Sequence, residues 1–311
     1  GPAAGGPATL VGTPPNGVLA LVARRFGAPI SFARWLQFAM PLAAGLVLLI
    51  WWYLVLYFRV PRRELPAGHP ALQALRVDAG PWSQAEKVVS VVFLCTVAGW
   101  MSRRYVAEAL RWEDGRLEDD TIAVLCTLAL FLIRARDSDG TRRPLLDWAT
   151  LLQTPWHILL LFGGGAALAE AFDHTGLSRW LGALLAGQGQ LPAWLLIYVV
   201  VACVTFLTEV TSNTATANVL LPIFGELACS TGVAPTTIMI PAALACSCAF
   251  MLPVATPPNM VVMSTGAVAA GDMFKAGFAV NCLAIAAIPA WFFTWGRHFW
   301  APGEPAPCGT T

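Results

Sequence analysis

Apolar residues fall along the chain in blocks, and the blocks sort by whether they reach the roughly 20 residues that a helix needs to cross a bilayer core. Residues 36–58 and 274–295 reach it and predict two spans. Residues 88–101 and 121–133 are shorter and are separated by a polar loop, which predicts a tilted antiparallel pair. Residues 156–172 predict another membrane helix. Its Gly163-Gly164-Gly165 run lacks the Lys-Ser/Thr that would follow in a phosphate loop, so it is expected to admit a neighbouring helix closely.

Two further blocks carry polar residues where a simple span would be apolar. Residues 191–228 are apolar at both ends but hold Thr208-Glu209-Val210-Thr211-Ser212-Asn213-Thr214-Ala215-Thr216 in the middle. So many hydrogen-bonding side chains at bilayer depth are tolerated only where they line a cavity or pack on protein. This predicts a re-entrant hairpin, with Ser212 or Asn213 starting a returning helix that runs through Leu221. In residues 238–265, Thr256-Pro257-Pro258-Asn259 interrupts an apolar run. Proline restricts its predecessor but suits a first helical position, so one half-helix is expected to end near Val254 and another to begin at Pro257 or Pro258.

The same tetrapeptide stands at Thr13-Pro14-Pro15-Asn16. Recurrence of an interrupted helix in two membrane halves is the pattern of a transporter built from internal repeats, with the interruptions meeting at a midplane site. Carried back by the same offset, the counterpart of Ser212 falls before Gly1. The reading therefore expects an N-terminally truncated chain with one whole hairpin and broken helix and only the later part of the other repeat.

Composition fixes the solvent. Of 311 residues 57% are hydrophobic and 12% charged, against about 25% charged in a soluble domain, and the mean hydropathy is +0.64. These values describe an integral membrane protein. A net charge of +1 gives no field for nucleic acid. The eight cysteines sit mostly in apolar runs without CxxC spacing, which argues against a zinc site and a disulfide framework. No HExxH or GxSxG motif supports an enzyme, and hairpins closing a central site favour alternating access over a channel's continuous pore.

Loop charges set an orientation. Arg59, Arg62, Arg63, Arg76 and Lys87, and then Arg134, Arg136, Arg142 and Arg143, predict cytoplasmic loops by the positive-inside rule. Glu113, Asp114, Glu118, Asp119 and Asp120 then face outward, and alternate threading puts the C-terminus outside, at a plasma membrane. Among lone polar residues, Glu209 is read as bonding backbone donors in preference to carrying protons, and Asn281 as bonding across helices.

The runs Leu207 to Thr216 and Phe250 to Asn259, with Gly12-Thr13-Pro14-Pro15-Asn16, Pro155-Trp156 and Asp272-Met273, resemble the signature segments of the divalent anion/sodium symporter family. The resemblance implies an all-α integral membrane fold, an inverted-repeat elevator-type transporter with a re-entrant hairpin and broken helices, assembled as a homodimer in lipid. It implies the end of the first repeat's transport region at 1–35, mainly scaffold helices and loops at 36–150, and a helix with external linker at 151–190. The second repeat's transport region follows at 191–270, then the last transmembrane helix and external tail at 271–311. The implied function is sodium-coupled symport of a small anion, a di- or tricarboxylate such as succinate, malate, fumarate or citrate, with C4-dicarboxylate preferred. Sulfate symport, and then an anion channel or exchanger, are the alternatives.

Carried over by resemblance, one sodium site uses Thr208, the Thr211 and Ala255 carbonyls and Asn213, while Gly12 belongs to another. Substrate carboxylates meet Asn213, Thr214, Thr256 and Pro257, with Thr13 from the first break. The residue types suit that chemistry. Sodium takes oxygen ligands, and with neutral side chains around the anion the bound cations supply the positive potential, which makes anion affinity depend on sodium.

Overall fold

Residues 5–59, 82–109, 118–136, 142–154, 156–177, 180, 184, 192–264 and 268–300 are described by a computed structural model, and most of them are helical. The predicted external tail at 301–311, the loop residues Arg62, Arg63, Arg76, Glu113 and Asp114, and Pro155 lie outside the described residues. In chain order the helices are α1 (Pro14–Arg25), α2 (Phe32–Tyr57), α3 (Gln84–Ala109) and α4 (Asp119–Leu132). A two-stranded antiparallel hairpin follows, β1 (Arg134–Arg136) and β2 (Arg142–Pro144), and then α5 (Trp148–Leu152). The rest are α6 (Trp156–Thr175), α7 (Ala193–Val210), α8 (Asn213–Ser230), α9 (Pro235–Cys246), α10 (Pro257–Ser264) and α11 (Ala270–Thr294).

Four stretches, Phe32–Tyr57, Gln84–Arg103, Ala193–Val210 and Ala270–His298, are each long and apolar enough to cross a membrane. The predicted pair at 88–101 and 121–133 turns out unequal. α3 runs longer at both ends, and a capping box sets its earlier start: Ser83 N donates to Glu86 Oε2 at 2.7 Å and Glu86 N to Ser83 Oγ at 3.1 Å. α4 has only 14 residues, below a spanning length.

The chain divides into two units, Gly1–Arg59 with Trp156–Thr311, and Val60–Pro155. In the second, the start of α4 lies against α3. Gly99 leaves room for Ile122, Trp100 Nε1 donates to the Asp119 carbonyl at 2.9 Å, and Arg103 pairs with the Asp119 carboxylate at 3.1 Å. The β-hairpin was not expected in an all-α chain; Leu145 N donating to Ile133 O at 3.0 Å extends its ladder. Asp147 caps α5 by accepting from Thr150 N at 2.7 Å, and the Thr150 hydrogen bonds hold its carboxyl below the usual carboxylate range.

The first unit is built around α9, every residue of which is buried. A helix apolar on all sides belongs inside a bundle, and α1, α7, α8 and α11 pack against it. Trp35, Phe38 and Phe292 close one end of this core with edge-on ring contacts to Trp300 and one another. Trp35 also donates from Nε1 to the Pro7 carbonyl at 3.0 Å, fixing the 3₁₀ turn Gly6–Ala8 that precedes α1. Of the glycine triplet, only Gly165 is closely packed: a Cβ there would stand 2.2 Å from the Asn218 side chain of α8, whereas Gly163 and Gly164 have open space. Cys229 is disulfide-bonded, a link that the cysteine spacing did not foretell.

Candidate binding site

The polar block at 208–216 breaks as expected, and the break shapes one wall of a cavity of about 860 Å³ in the first unit. α7 ends at Val210, and Thr211 (φ −124°, ψ 165°) and Ser212 (φ −69°, ψ 131°) are extended before α8 starts at Asn213. Hydroxyl side chains compete with the backbone for hydrogen bonds and so favour such a break. Here Thr211 Oγ1 donates back to Leu207 O at 2.8 Å and lies 2.6 Å from Thr216 Oγ1. Ser212 occupies the N-cap position without a side-chain cap. The returning helix runs past Leu221 to Ser230.

Asn213 turns its side chain back to α7. Thr208 Oγ1 lies 2.6 Å from Asn213 Oδ1 and 3.0 Å from the Cys246 carbonyl. One hydroxyl proton serves only one of these acceptors at a time, so three oxygens meet at one buried point. Clustered neutral oxygens of this kind are what a hard cation takes as ligands.

The second break differs from expectation. α9 stops at Cys246, not near Val254, and residues 247–256 are irregular before α10 begins at Pro257. The cause is a buried carboxylate. Glu209 Oε1 accepts from Phe250 N at 2.7 Å and Met251 N at 2.9 Å, and Oε2 accepts from Leu252 N at 3.0 Å. In a continued helix those amides would donate to the carbonyls of Cys246, Ser247 and Cys248; here the Glu209 side chain accepts them instead. Asn281 Nδ2 of α11 adds a fourth donor to Glu209 Oε1 at 2.7 Å, the cross-helix bond expected of it. Gly277, one turn earlier, has no room for a Cβ, which would stand 2.2 Å from Phe250 O.

The two Thr-Pro-Pro-Asn motifs do the same work. Asn16 Nδ2 donates to Thr9 O at 2.9 Å and Pro7 O at 3.4 Å; Asn259 Nδ2 donates to Leu252 O at 3.0 Å and Ala249 O at 2.9 Å. Each asparagine, in the first turn of its helix, ties down two carbonyls of the unwound segment before it. Asn16, Asn259 and Ser247, which donates to Thr13 Oγ1 at 3.3 Å and so bridges the two breaks, were not among the expected site residues. The repeated motif was the signal for the asparagines; nothing local marked Ser247.

Of the expected residues, Gly12, Thr13, Thr211, Asn213, Thr214, Ala255, Thr256 and Pro257 line the cavity. Thr208 stands behind Asn213 and does not line it. Gly12 is required by close approach, since a Cβ would meet Gly6 O at 2.1 Å. Three helix starts face the space, those of α1, α8 and α10, each the positive end of a helix dipole. They are not equivalent. Pro14, Pro15, Pro257 and Pro258 have no N–H to give, so only α8 presents first-turn amides, those of Asn213, Thr214 and Ala215. At the other two, donors come from hydroxyls, and the buried Thr256 Oγ1 has no protein partner. Glu209 is the one charged residue among the described residues lining the cavity.

The family model described as "Sodium:sulfate symporter transmembrane region" matches residues 4–301. The chain is 38% identical over 287 residues to the sodium-dependent dicarboxylate transporter SdcS of Staphylococcus saprophyticus, covering 91% of this chain and 55% of that protein. It is 38% identical over 282 residues to SdcS of Staphylococcus aureus strain USA300, covering 90% and 54%. The chain spans about half the length of the curated relatives it matches. The matched span takes in the break between α7 and α8, both Thr-Pro-Pro-Asn breaks and the cavity they line, and the chain belongs to the sodium:sulfate symporter family of divalent anion/sodium symporters.

Proposed function

We propose that this protein carries out sodium-coupled symport of a di- or tricarboxylate, with a C4-dicarboxylate as its load. The observation that carries the reading is a cavity faced by three helix starts and a cluster of neutral oxygens, with no cationic side chain among its described lining residues. A dianion held there needs positive charge that travels with it, and sodium supplies it. Sodium is held by Thr208, Asn213 and the Thr211 and Ala255 carbonyls, with Gly12 at a second sodium site. The load's carboxylates meet the first-turn amides of α8 at Asn213 and Thr214, the Thr256 and Thr13 hydroxyls, and Pro257.

On this reading α7 and α8 are the arms of a re-entrant hairpin, the paired asparagine clamps mark inverted repeats, and the helices of the first unit move as an elevator in a plasma-membrane homodimer whose C-terminus is outside. Sulfate is the second reading, favoured by the family's description. The carboxylate is preferred because the relatives 38% identical to this chain are described as dicarboxylate transporters. The test is uptake of radiolabelled succinate, citrate and sulfate into liposomes holding the purified protein, with inward sodium or potassium gradients. Succinate uptake driven by sodium alone is expected. Uptake indifferent to the cation would sink the coupling, and uptake of sulfate alone would sink the choice of load.

A further inference from the structure

Glu209 combines features that the transport reading leaves unused. It is 4% exposed, stands beside Thr208 in the last turn of α7, and is the charged residue of the described cavity wall. Four donors, from Phe250, Met251, Leu252 and Asn281, occupy both of its oxygens. Oε1 takes three of these donors and Oε2 one, and all four are N–H groups. The transport reading gives this group no part as a ligand or a proton carrier.

We infer that Glu209 is a positioning residue whose fixed negative charge raises the cavity's affinity for the coupling cation, through the field it exerts and the backbone it holds. This rests on the sodium-coupled reading above. Two consequences of the geometry combine. Taking the amides of residues 250–252 leaves the 247–256 segment unwound, so that α9 ends with the Cys246 carbonyl beside Thr208 and Ala255 reaches the cavity wall. The carboxylate also places a full negative charge one residue from Thr208 in a site of otherwise neutral ligands. Charges a few ångströms apart in a low-dielectric interior are weakly screened, and ionisable groups within a membrane segment are costly enough that they persist for a purpose.

The test is the sodium dependence of succinate uptake in proteoliposomes, with Glu209→Gln matched to wild type for the amount of folded protein. Glutamine keeps the shape and an acceptor oxygen and removes the charge. The half-saturating sodium concentration is expected to rise about tenfold, while the succinate KM at saturating sodium stays within about twofold. Restoring a carboxylate nearby in Glu209→Gln/Val210→Asp should recover part of the loss, since Val210 is exposed on the cavity wall; a purely structural brace gains nothing from a relocated charge. Should Glu209→Gln not fold, Val210→Lys in the wild-type background must raise the sodium requirement by offsetting the same charge. An unchanged sodium curve in the folded variant, or in Val210→Lys, overturns the inference, as does a succinate KM that stays raised at saturating sodium. A wild-type protein whose uptake ignores sodium overturns the carrier reading instead, and the inference with it.

Discussion

The hydroxyl of Thr208, near the end of α7, lies 2.6 Å from the carboxamide oxygen of Asn213, the first residue of α8. The contact spans the extended residues Thr211 and Ser212 and joins the two sides of the break through oxygen atoms alone. A packing contact would have been served as well by a methyl group. Two acceptors share one hydroxyl proton, with Cys246 O as the other, and on the proposed reading a bound cation would take up the lone pairs left over.

Thr208→Val keeps the shape and loses the oxygen. The sodium concentration for half-maximal uptake should rise, and by reciprocity of linkage the apparent anion affinity should fall at limiting sodium and recover as sodium is raised. Uptake of labelled succinate over a sodium series, in proteins matched for amount inserted, measures both. Superimposable sodium curves would exclude Thr208 from the cation site.

Thr256 offers a cleaner separation of stability from binding. Its hydroxyl is buried without a protein partner, so removing it relieves the protein of an unsatisfied group, worth about 1–3 kcal/mol when buried. Thr256→Val should therefore leave the unfolding temperature unchanged or raise it, while the anion KM rises several-fold. A variant with normal KM would take Thr256 out of the substrate's reach.

The glycine triplet is a built-in control. Gly165→Ala places a methyl 2.2 Å from the Asn218 carboxamide, which must turn aside and give up its bond to the Leu161 carbonyl, whereas Gly163→Ala meets nothing within 4 Å. Overpacking of this kind costs about 1–3 kcal/mol, and the open site none. Thermal unfolding in detergent should show a lowered Tm for the first variant only; equal Tm values would refute the close packing.

Asn16→Ala and Asn259→Ala should behave alike. Each removes two side-chain bonds to backbone carbonyls of the preceding segment, and each should lower stability by about 1–3 kcal/mol. Thermal unfolding of the two single variants tests this; a loss confined to one of them would show that the motifs share a sequence but not a role.

Much of this was legible because membrane segments write their exceptions plainly. A Ser-Asn-Thr run or a Pro-Pro pair inside an apolar block has few explanations, and the breaks at 211–212 and before Pro257 fell where those residues stand. What the sequence hid was long-range. The early end of α9 depends on a carboxylate from α7, whose bonds reach residues 41 to 43 positions away; no window around Cys246 contains that acceptor. Ser247 reads as helix filler between two cysteines until the first break, 234 positions distant, is brought beside it. The pairing of 134–136 with 142–144 is hard to read from sequence, because the arginines that carry it are equally the signal of a cytoplasmic loop.

On the proposed carrier reading, the doubled prolines bear on how long a load stays. Each amide aimed at a carboxylate adds a charge-assisted bond of about 1.5–3 kcal/mol, which lengthens the occupied time by roughly ten- to a hundredfold if it must break on departure. The starts of α1 and α10 lack those amides at Pro14, Pro15, Pro257 and Pro258. What remains there is the helix dipole, a pull confined to about the first turn that favours an anion in the cavity without clasping it. A protein that must empty itself as often as it fills gains more from quick departure than from grip, and a ring closed onto a backbone nitrogen is a direct way to write that preference into a helix end.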